Sequence, residues 1–246
     1  IKHKYENIYL NTKVTSAKSL KQGIEINFAG EGAAKTDIFD KVLVAVGRVA
    51  NSNLIDVEKA GVNLSEQGFI TTDSQMRTNV ANIYAIGDVV GQPMLAHKAS
   101  HQAKVAAEAI CDKKSHFDAL AIPSVMYTNP EIAWAGKTET ELKQQGIEYT
   151  KGAFPWVASG RALSVAIKDG TTKCLFDKVS GKILGAGICG ANAGDLIAEV
   201  MLALEMGSDI EDIALTIHAH PTLSETVGFA AEIANDTITD LMPQRK

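Results

Sequence analysis

His218-Ala219-His220-Pro221-Thr222-Leu223-Ser224-Glu225 sets an imidazole, His220, five residues ahead of a carboxylate, Glu225, just before an apolar run over 227–233. The run reads as a helix. Proline fits a helix opening, where its missing N–H costs nothing and its fixed φ is already helical. A histidine that moves protons needs a partner to hold one tautomer and to stabilise its charged form, and a carboxylate about one turn along is within reach of that role. His220 is therefore a candidate base, with Glu225 its orienter. A second reading stays open: Thr222 to Glu225 also spells a capping box, in which the acid merely satisfies backbone N–H groups. Thr138 to Glu141 and Ser208 to Glu211 spell the same box elsewhere.

Working back from this stretch, residues 121–246 alternate short apolar strands with helices. Strands are expected at 124–127, 132–135, 173–176 and 182–188, and helices at 139–145, 195–206 and 210–217. That pattern predicts an α+β domain, an antiparallel sheet with helices on one side. Ahead of it lie an Ala-rich helix over 95–111, strands at 68–72 and 83–86, and a short helical piece over 53–60. The first stretch reads as a hairpin, 8–20 and 23–29 about Lys21-Gln22, followed by an apolar strand over 41–46 that ends at Gly47.

Composition removes several classes of function. The 246 residues are 46% hydrophobic with a net charge of −5, and the basic residues are spread along the chain, so no footprint for nucleic acid or an anionic membrane exists. No apolar run approaches the roughly 20 residues of a spanning helix, and no signal-peptide pattern opens the sequence. Cys111, Cys174 and Cys189, odd in number and without metal-like spacing, fit a reducing compartment.

Two motifs are set aside. Gly185-Ala-Gly187-Ile-Cys-Gly190 spells the dinucleotide fingerprint. Its strand, however, reads as the second arm of a hairpin turning at Val179-Ser-Gly181, whereas a dinucleotide site opens a parallel βαβ unit. His97 and His101 share a helix face, but Lys98 stands where a metal site would carry a glutamate and no third ligand is evident, so no metal is expected. Asp88, after a strand and a glycine, could accept hydrogen bonds from sugar hydroxyls or simply belong to a turn. The nearby helix start offers unpaired N–H groups suited to an electron-rich ring edge. Gly47 would let a flat ring approach the backbone, though a plain turn explains it equally well.

Asn82-Ile-Tyr-Ala-Ile-Gly-Asp88, Gln92-Pro-Met-Leu-Ala-His97 and Ile217-His-Ala-His-Pro-Thr-Leu-Ser-Glu225 together resemble the second half of the dihydrolipoamide dehydrogenases, within the pyridine-nucleotide disulfide oxidoreductase family. Val42-Leu-Val-Ala-Val-Gly-Arg48, Asn51, Arg77-Thr-Asn79 and Phe154-Pro-Trp156 fall in the order this family implies, and Pro-Met-Leu-Ala-His favours the lipoamide group over glutathione reductase, the nearest alternative.

The resemblance implies a fold of class α/β and α+β. Residues 1–47 would end an NAD-binding domain, 48–120 form a central FAD-contacting segment, and 121–246 a dimerisation domain. It implies that Asp88 holds the ribityl chain of FAD, that Met94, Leu95, Ala96 and His97 line the flavin, and that Val14 and Gly47 contact NAD. His220, supported by Glu225, would serve as base on the disulfide and flavin of the other subunit of a homodimer. The activity implied is oxidation of dihydrolipoamide carried by a lipoyl-domain-bearing acyltransferase of a 2-oxo acid dehydrogenase complex, with reduction of NAD, in a bacterial cytoplasm or mitochondrial matrix. A glycine-rich FAD turn and a cysteine pair four residues apart are absent from the 246 residues. The expectation is therefore the carboxyl-terminal half of a longer enzyme, without activity on its own, and the alternative is an independently folding dimerisation module.

Overall fold

The computed structural model describes residues 4–32, 35–167 and 169–242, so the outermost residues of the expected first and last domains, 1–3 and 243–246, lie outside the described residues. The chain divides into two compact units between Asn51 and Ser52.

The first unit holds a three-stranded antiparallel sheet in the order β1-β2-β3, with β1 Lys13–Leu20, β2 Gly23–Ala29 and β3 Thr36–Phe39. Leu20 pairs with Gly23 across the expected turn. The predicted strand over 41–46 is absent: these residues have no regular structure, and Leu43, Val44 and Val46 stand exposed. A strand exists through a neighbour's hydrogen bonds. Among the described residues, the sheet of this unit offers 41–46 none.

In the second unit the predicted helix over 53–60 is two single 3-10 turns, Ser52–Leu54 and Val57–Ala60. Between them Asp56 adopts φ 51, a left-handed conformation that no right-handed helix passes through. The predicted strands at 68–72 and 83–86 reduce to single bridges, Leu64 to Ile70 and Arg77 to Tyr84. Their backbone groups bond to loops instead of one ladder, as when Ile70 N–H donates to the Val89 carbonyl and Thr71 N–H to that of Asn63. The Ala-rich helix forms as expected, α1 Ala96–Ile110.

The remainder is a five-stranded antiparallel sheet in the order β4-β5-β8-β7-β6: β4 Ser124–Met126, β5 Glu131–Gly136, β6 Tyr149–Pro155, β7 Thr171–Asp177 and β8 Ile183–Gly190. The helices are α2 Glu139–Gln144, α3 Gly160–Ser164, α4 Ala193–Met206, α5 Ile210–Ala214 and α6 Glu225–Ala234. The hairpin of β7 and β8 confirms why the glycine fingerprint on β8 is no dinucleotide site: the strand pairs antiparallel on both sides and α4 leads into α5. Registered pairs share a face, so Ala133 with Ile188, Ala135 with Ala186, and Cys174 with Ala186 present one apolar side to the helices. There α4 packs on β5 and β8, and α6 on β6 and β7. Side chains alternate, which turns Trp134 to the other side of the sheet.

The contact between α6 and β6 is made backbone to backbone. A Cβ on Gly152 would fall 1.7 Å from the Ala230 carbonyl oxygen. Only a glycine permits that approach. Next to it runs a fully buried chain of polar groups in which Trp156 Nε1 donates to Thr172 Oγ1 at 2.9 Å. The Thr172 and Thr226 hydroxyls lie 2.7 Å apart, and Thr226 donates to the Leu223 carbonyl. Since the Thr226 proton goes to Leu223, Thr172 donates to Thr226, and every member is satisfied. The chain fixes the first turn of α6, the turn that carries Glu225.

Candidate active site

His220 stands in the irregular segment between α5 and α6 with its side chain 75% exposed, while that of Glu225 is 12% exposed. His220 Nδ1 lies 2.8 Å from Glu225 Oε1, and the other carboxylate oxygen accepts the Thr222 N–H at 2.7 Å. One acid thus contacts the imidazole and a backbone donor at once. The box itself is only half formed. Thr222 Oγ1 turns to the Ala219 carbonyl, α6 begins at Glu225, and Pro221, joined to His220 by a cis peptide bond, precedes the helix instead of opening it. Elsewhere the Thr138 box is complete, whereas the one expected at Ser208 is shifted by one residue, with Asp209 as cap and Asp212 as its partner. With Nδ1 held by a carboxylate, Nε2 is the nitrogen left to meet a proton donor.

A second imidazole–carboxylate pair, unread in the sequence, adjoins the first. His218 Nε2 lies 2.6 Å from Glu199 Oε1 of α4, with the imidazole side chain only 11% exposed. The Glu199 hydrogen bond raises the His218 pKa above the usual imidazole value against the opposing effect of burial. Gly228 of α6 backs the ring, for a Cβ there would meet it at 3.0 Å. A polar residue amid Leu196-Ile-Ala-Glu-Val-Met-Leu was the only signal in the sequence.

At the start of α1, Asp88 sits in a 3-10 turn, Gly87–Val90, whose Gly87 N–H donates to Gln102 Oε1 at 2.8 Å. Gly87 has φ +78, and a Cβ on it would lie 3.1 Å from Ala99, so the turn packs tightly on the helix. Met94 and Leu95 lead into α1, Leu95 being its N-cap and Ala96 and His97 its first residues. The Leu95 side chain caps no N–H at this end and no acidic residue occupies the first turn, so neither offsets its partial positive charge. His97 Nε2 pairs with the Pro123 carbonyl at 2.8 Å and His101 packs edge-on against Phe117. Among the described residues no group of three or more His, Cys, Asp or Glu could hold a metal. Val14, on β1, and Gly47, at φ +110 with no neighbour to a built Cβ, belong to the first unit.

Asp88 and Met94 to His97 thus lie around the start of α1, and the pair of His220 and Glu225 lies where the loop after α5 enters α6. Leu202 and Met206 of α4, with Leu215 and Ile217 beyond α5, form a further exposed apolar set. Among the described residues no helix is long and apolar enough to cross a membrane.

Residues 3–103 match the family described as Pyridine nucleotide-disulphide oxidoreductase, and residues 122–231 match its dimerisation domain. The chain belongs to the pyridine nucleotide-disulphide oxidoreductases. Among curated relatives, this pyridine nucleotide-disulphide oxidoreductase is 55% identical to the dihydrolipoyl dehydrogenase of Vibrio cholerae over 98% of its own length and 51% of the relative's. It is 55% identical to that of Haemophilus influenzae over 95% and 49% of the two chains, and 44% identical to that of Bacillus subtilis over 92% and 48%. It spans about half the length of the curated relatives it matches. Among solved structures it is similar to LpdA from Mycobacterium tuberculosis, with a TM-score of 0.82 and 23% identity over 90% of this chain and 48% of that one. A similar likeness, 0.81 at 21% identity over 90% and 51%, joins it to the HOCl-induced flavoprotein disulfide reductase RclA from Escherichia coli. At these identities the likeness is one of fold.

Proposed function

We propose that this chain supplies the dithiol-side base, the flavin-side turn and part of the nicotinamide-side domain of a dihydrolipoyl dehydrogenase, which oxidises protein-bound dihydrolipoamide to lipoamide and reduces NAD. The observation that carries the reading is the exposed His220 imidazole held through Nδ1 by Glu225, 2.8 Å away, in a family that works on disulfides. In this reading residues 1–47 end the NAD-binding domain, 48–120 contact FAD, and 121–246 form the dimerisation domain.

The attacking species in thiol–disulfide exchange is the thiolate, and an unperturbed thiol, with a pKa of about 8.5, is mostly protonated at neutral pH. His220 Nε2 takes the proton from a substrate thiol. Glu225 keeps the ring in the tautomer with Nδ1 protonated and stabilises the imidazolium that forms. That cation in turn favours the thiolate beside it.

FAD, when bound, carries two electrons from the dithiol side to NAD. The residues present suit it: Asp88 would accept from ribityl hydroxyls, and the uncapped opening of α1 at Leu95, Ala96 and His97, with Met94, would face the electron-rich edge of the ring. Val14 and Gly47 would contact NAD. The apolar set on α4 and after α5 supports a homodimer in which His220 serves the other subunit. The macromolecular substrate would be the lipoyl domain of an acyltransferase, and three free cysteines suit the reducing cytoplasm.

The test is an assay of the natural protein that contains these residues, with dihydrolipoamide and NAD in one series and glutathione disulfide with NADPH in another. NADH formation in the first alone is expected; reduction of glutathione disulfide without dihydrolipoamide oxidation would end the reading.

A further inference from the structure

The segment that carries His220 is fastened by the histidine two residues before it. His218 Nε2 meets Glu199 Oε1 of α4 at 2.6 Å, and the same ring lies against Gly228 of α6, where no larger residue fits without displacing it. His218 and Glu225 line one small cleft of about 210 Å³, together with Thr216, Gly228 and Glu232. Glu225 is at once the holder of His220 and a neighbour of His218. Glu199, His218, Glu225 and His220 thus form a row, acid, imidazole, acid, imidazole, that crosses from α4 to the exposed His220.

We propose that Glu199 and His218 are positioning residues for the His220 base: they clamp its loop between α4 and α6 and set an imidazole behind Glu225. The inference rests on the proposed dithiol chemistry and adds two residues to it. The titratable groups facing His218 are Glu199 from α4 and Glu225 and Glu232 from α6, while α5 and the loop after it contribute Ala214, Thr216 and Ile217 to the cleft. Glu199 and Glu225 both favour the charged form of His218, and the backbone at Thr216 does the same. The clamp fixes the loop on which His220 meets Glu225, whose Oε1 lies 2.8 Å from Nδ1. Because two acids serve one buried imidazole and only one of them holds the base, the role of Glu199 is separable by substitution.

In the natural full-length protein, Glu199→Gln keeps shape but removes the charge that favours the charged form of His218. The bond between His218 and α4 is weakened, and with it the seat of the loop that carries His220. Three readings are expected together. The kcat for dihydrolipoamide falls about tenfold, as for an acid–base group weakened but not removed. The KM for dihydrolipoamide stays within about twofold, so the loss falls on kcat. Flavin content per chain, fixed by another part of the molecule, stays at the wild-type level. A variant with unchanged kcat, or with a lower kcat accompanied by a KM raised to the same extent, overturns the proposal. Should Glu199→Gln fail to fold, His218→Gln carries the same test, since its amide can still donate to Glu199 but brings no charge. His220→Gln, measured beside them, separates the two inferences: wild-type turnover there removes the proposed chemistry itself, whereas an impaired His220→Gln beside a wild-type Glu199→Gln removes only the positioning pair.

Discussion

Glu225 reaches His220 from the first residue of α6, its Oε1 2.8 Å from Nδ1, so the direction of the imidazole is set by the seating of a helix and not by the loop alone. Replacing His220 by Gln in the natural protein is expected to lower dithiol oxidation by about 10²- to 10⁴-fold while flavin content stays constant. Glu225→Gln should be milder, because an amide oxygen can still accept from Nδ1–H. Steady-state turnover with dihydrolipoamide decides the matter, and a His220→Gln enzyme at wild-type rate would end the assignment.

Leu202 is 64% exposed on α4, beside the equally bare Met206. If this face meets a second copy, as an obligate interface burying on the order of 2,000 Å² would require, Leu202→Glu places a charge where nothing can hydrate it. Light scattering should then find a monomer with native helix content and lost turnover. A dimer unchanged at micromolar concentration would refute the placement.

The three thiols differ in surroundings. Cys174 is fully buried on β7, and loss of solvent pushes its pKa up to about 12, whereas Cys111 is exposed at the end of α1. An aromatic disulfide reagent at pH 8 should label Cys111 in the native protein and Cys174 only after unfolding, since the thiolate is the reactive form. Peptide mapping reads the result, and native labelling of Cys174 at the rate of Cys111 would contradict it.

Glu139, at the start of α2, binds Lys173 at 2.8 Å and the Tyr149 hydroxyl at 2.9 Å, and chiefly through Lys173 its pKa falls from 4.5 to about 2. A depressed acid stabilises the folded state above its ordinary value and loses that contribution as pH falls through the lowered one. Glu139→Gln should therefore melt below wild type at pH 6, with the gap closing between pH 4.5 and pH 2. A gap that stays constant over that range would show the ion pair to be without effect.

The legible parts of the sequence are those whose physics is local. Ile132-Ala-Trp-Ala alternates and forms β5; the long apolar run ending at Met206 forms α4; His220 and Glu225 are close enough in sequence for one turn to bring them together. Tyr149-Thr-Lys-Gly-Ala-Phe-Pro was not readable as a strand, because β6 lies at the sheet edge and carries a glycine for the approach of Ala230, a partner 78 residues away in sequence. The reverse error at 41–46 has the opposite cause. Its pattern suits a buried strand, but burial needs neighbours that the pattern does not supply. The pairing of Glu199 with His218 is hidden in the sequence for a similar reason, the two being 19 residues apart on different elements.

The protein carries its own optical gauge of this site. Of its two tryptophans, Trp134 is half-buried on the open side of the sheet, while Trp156 is wholly enclosed and shares its indole proton with the hydroxyl chain that ends at the first turn of α6. Emission from Trp156 should be blue-shifted and shielded from aqueous quenchers for as long as that turn is seated. The unseating of Glu225 is then visible as a red shift, without any label and before the rest of the sheet has opened.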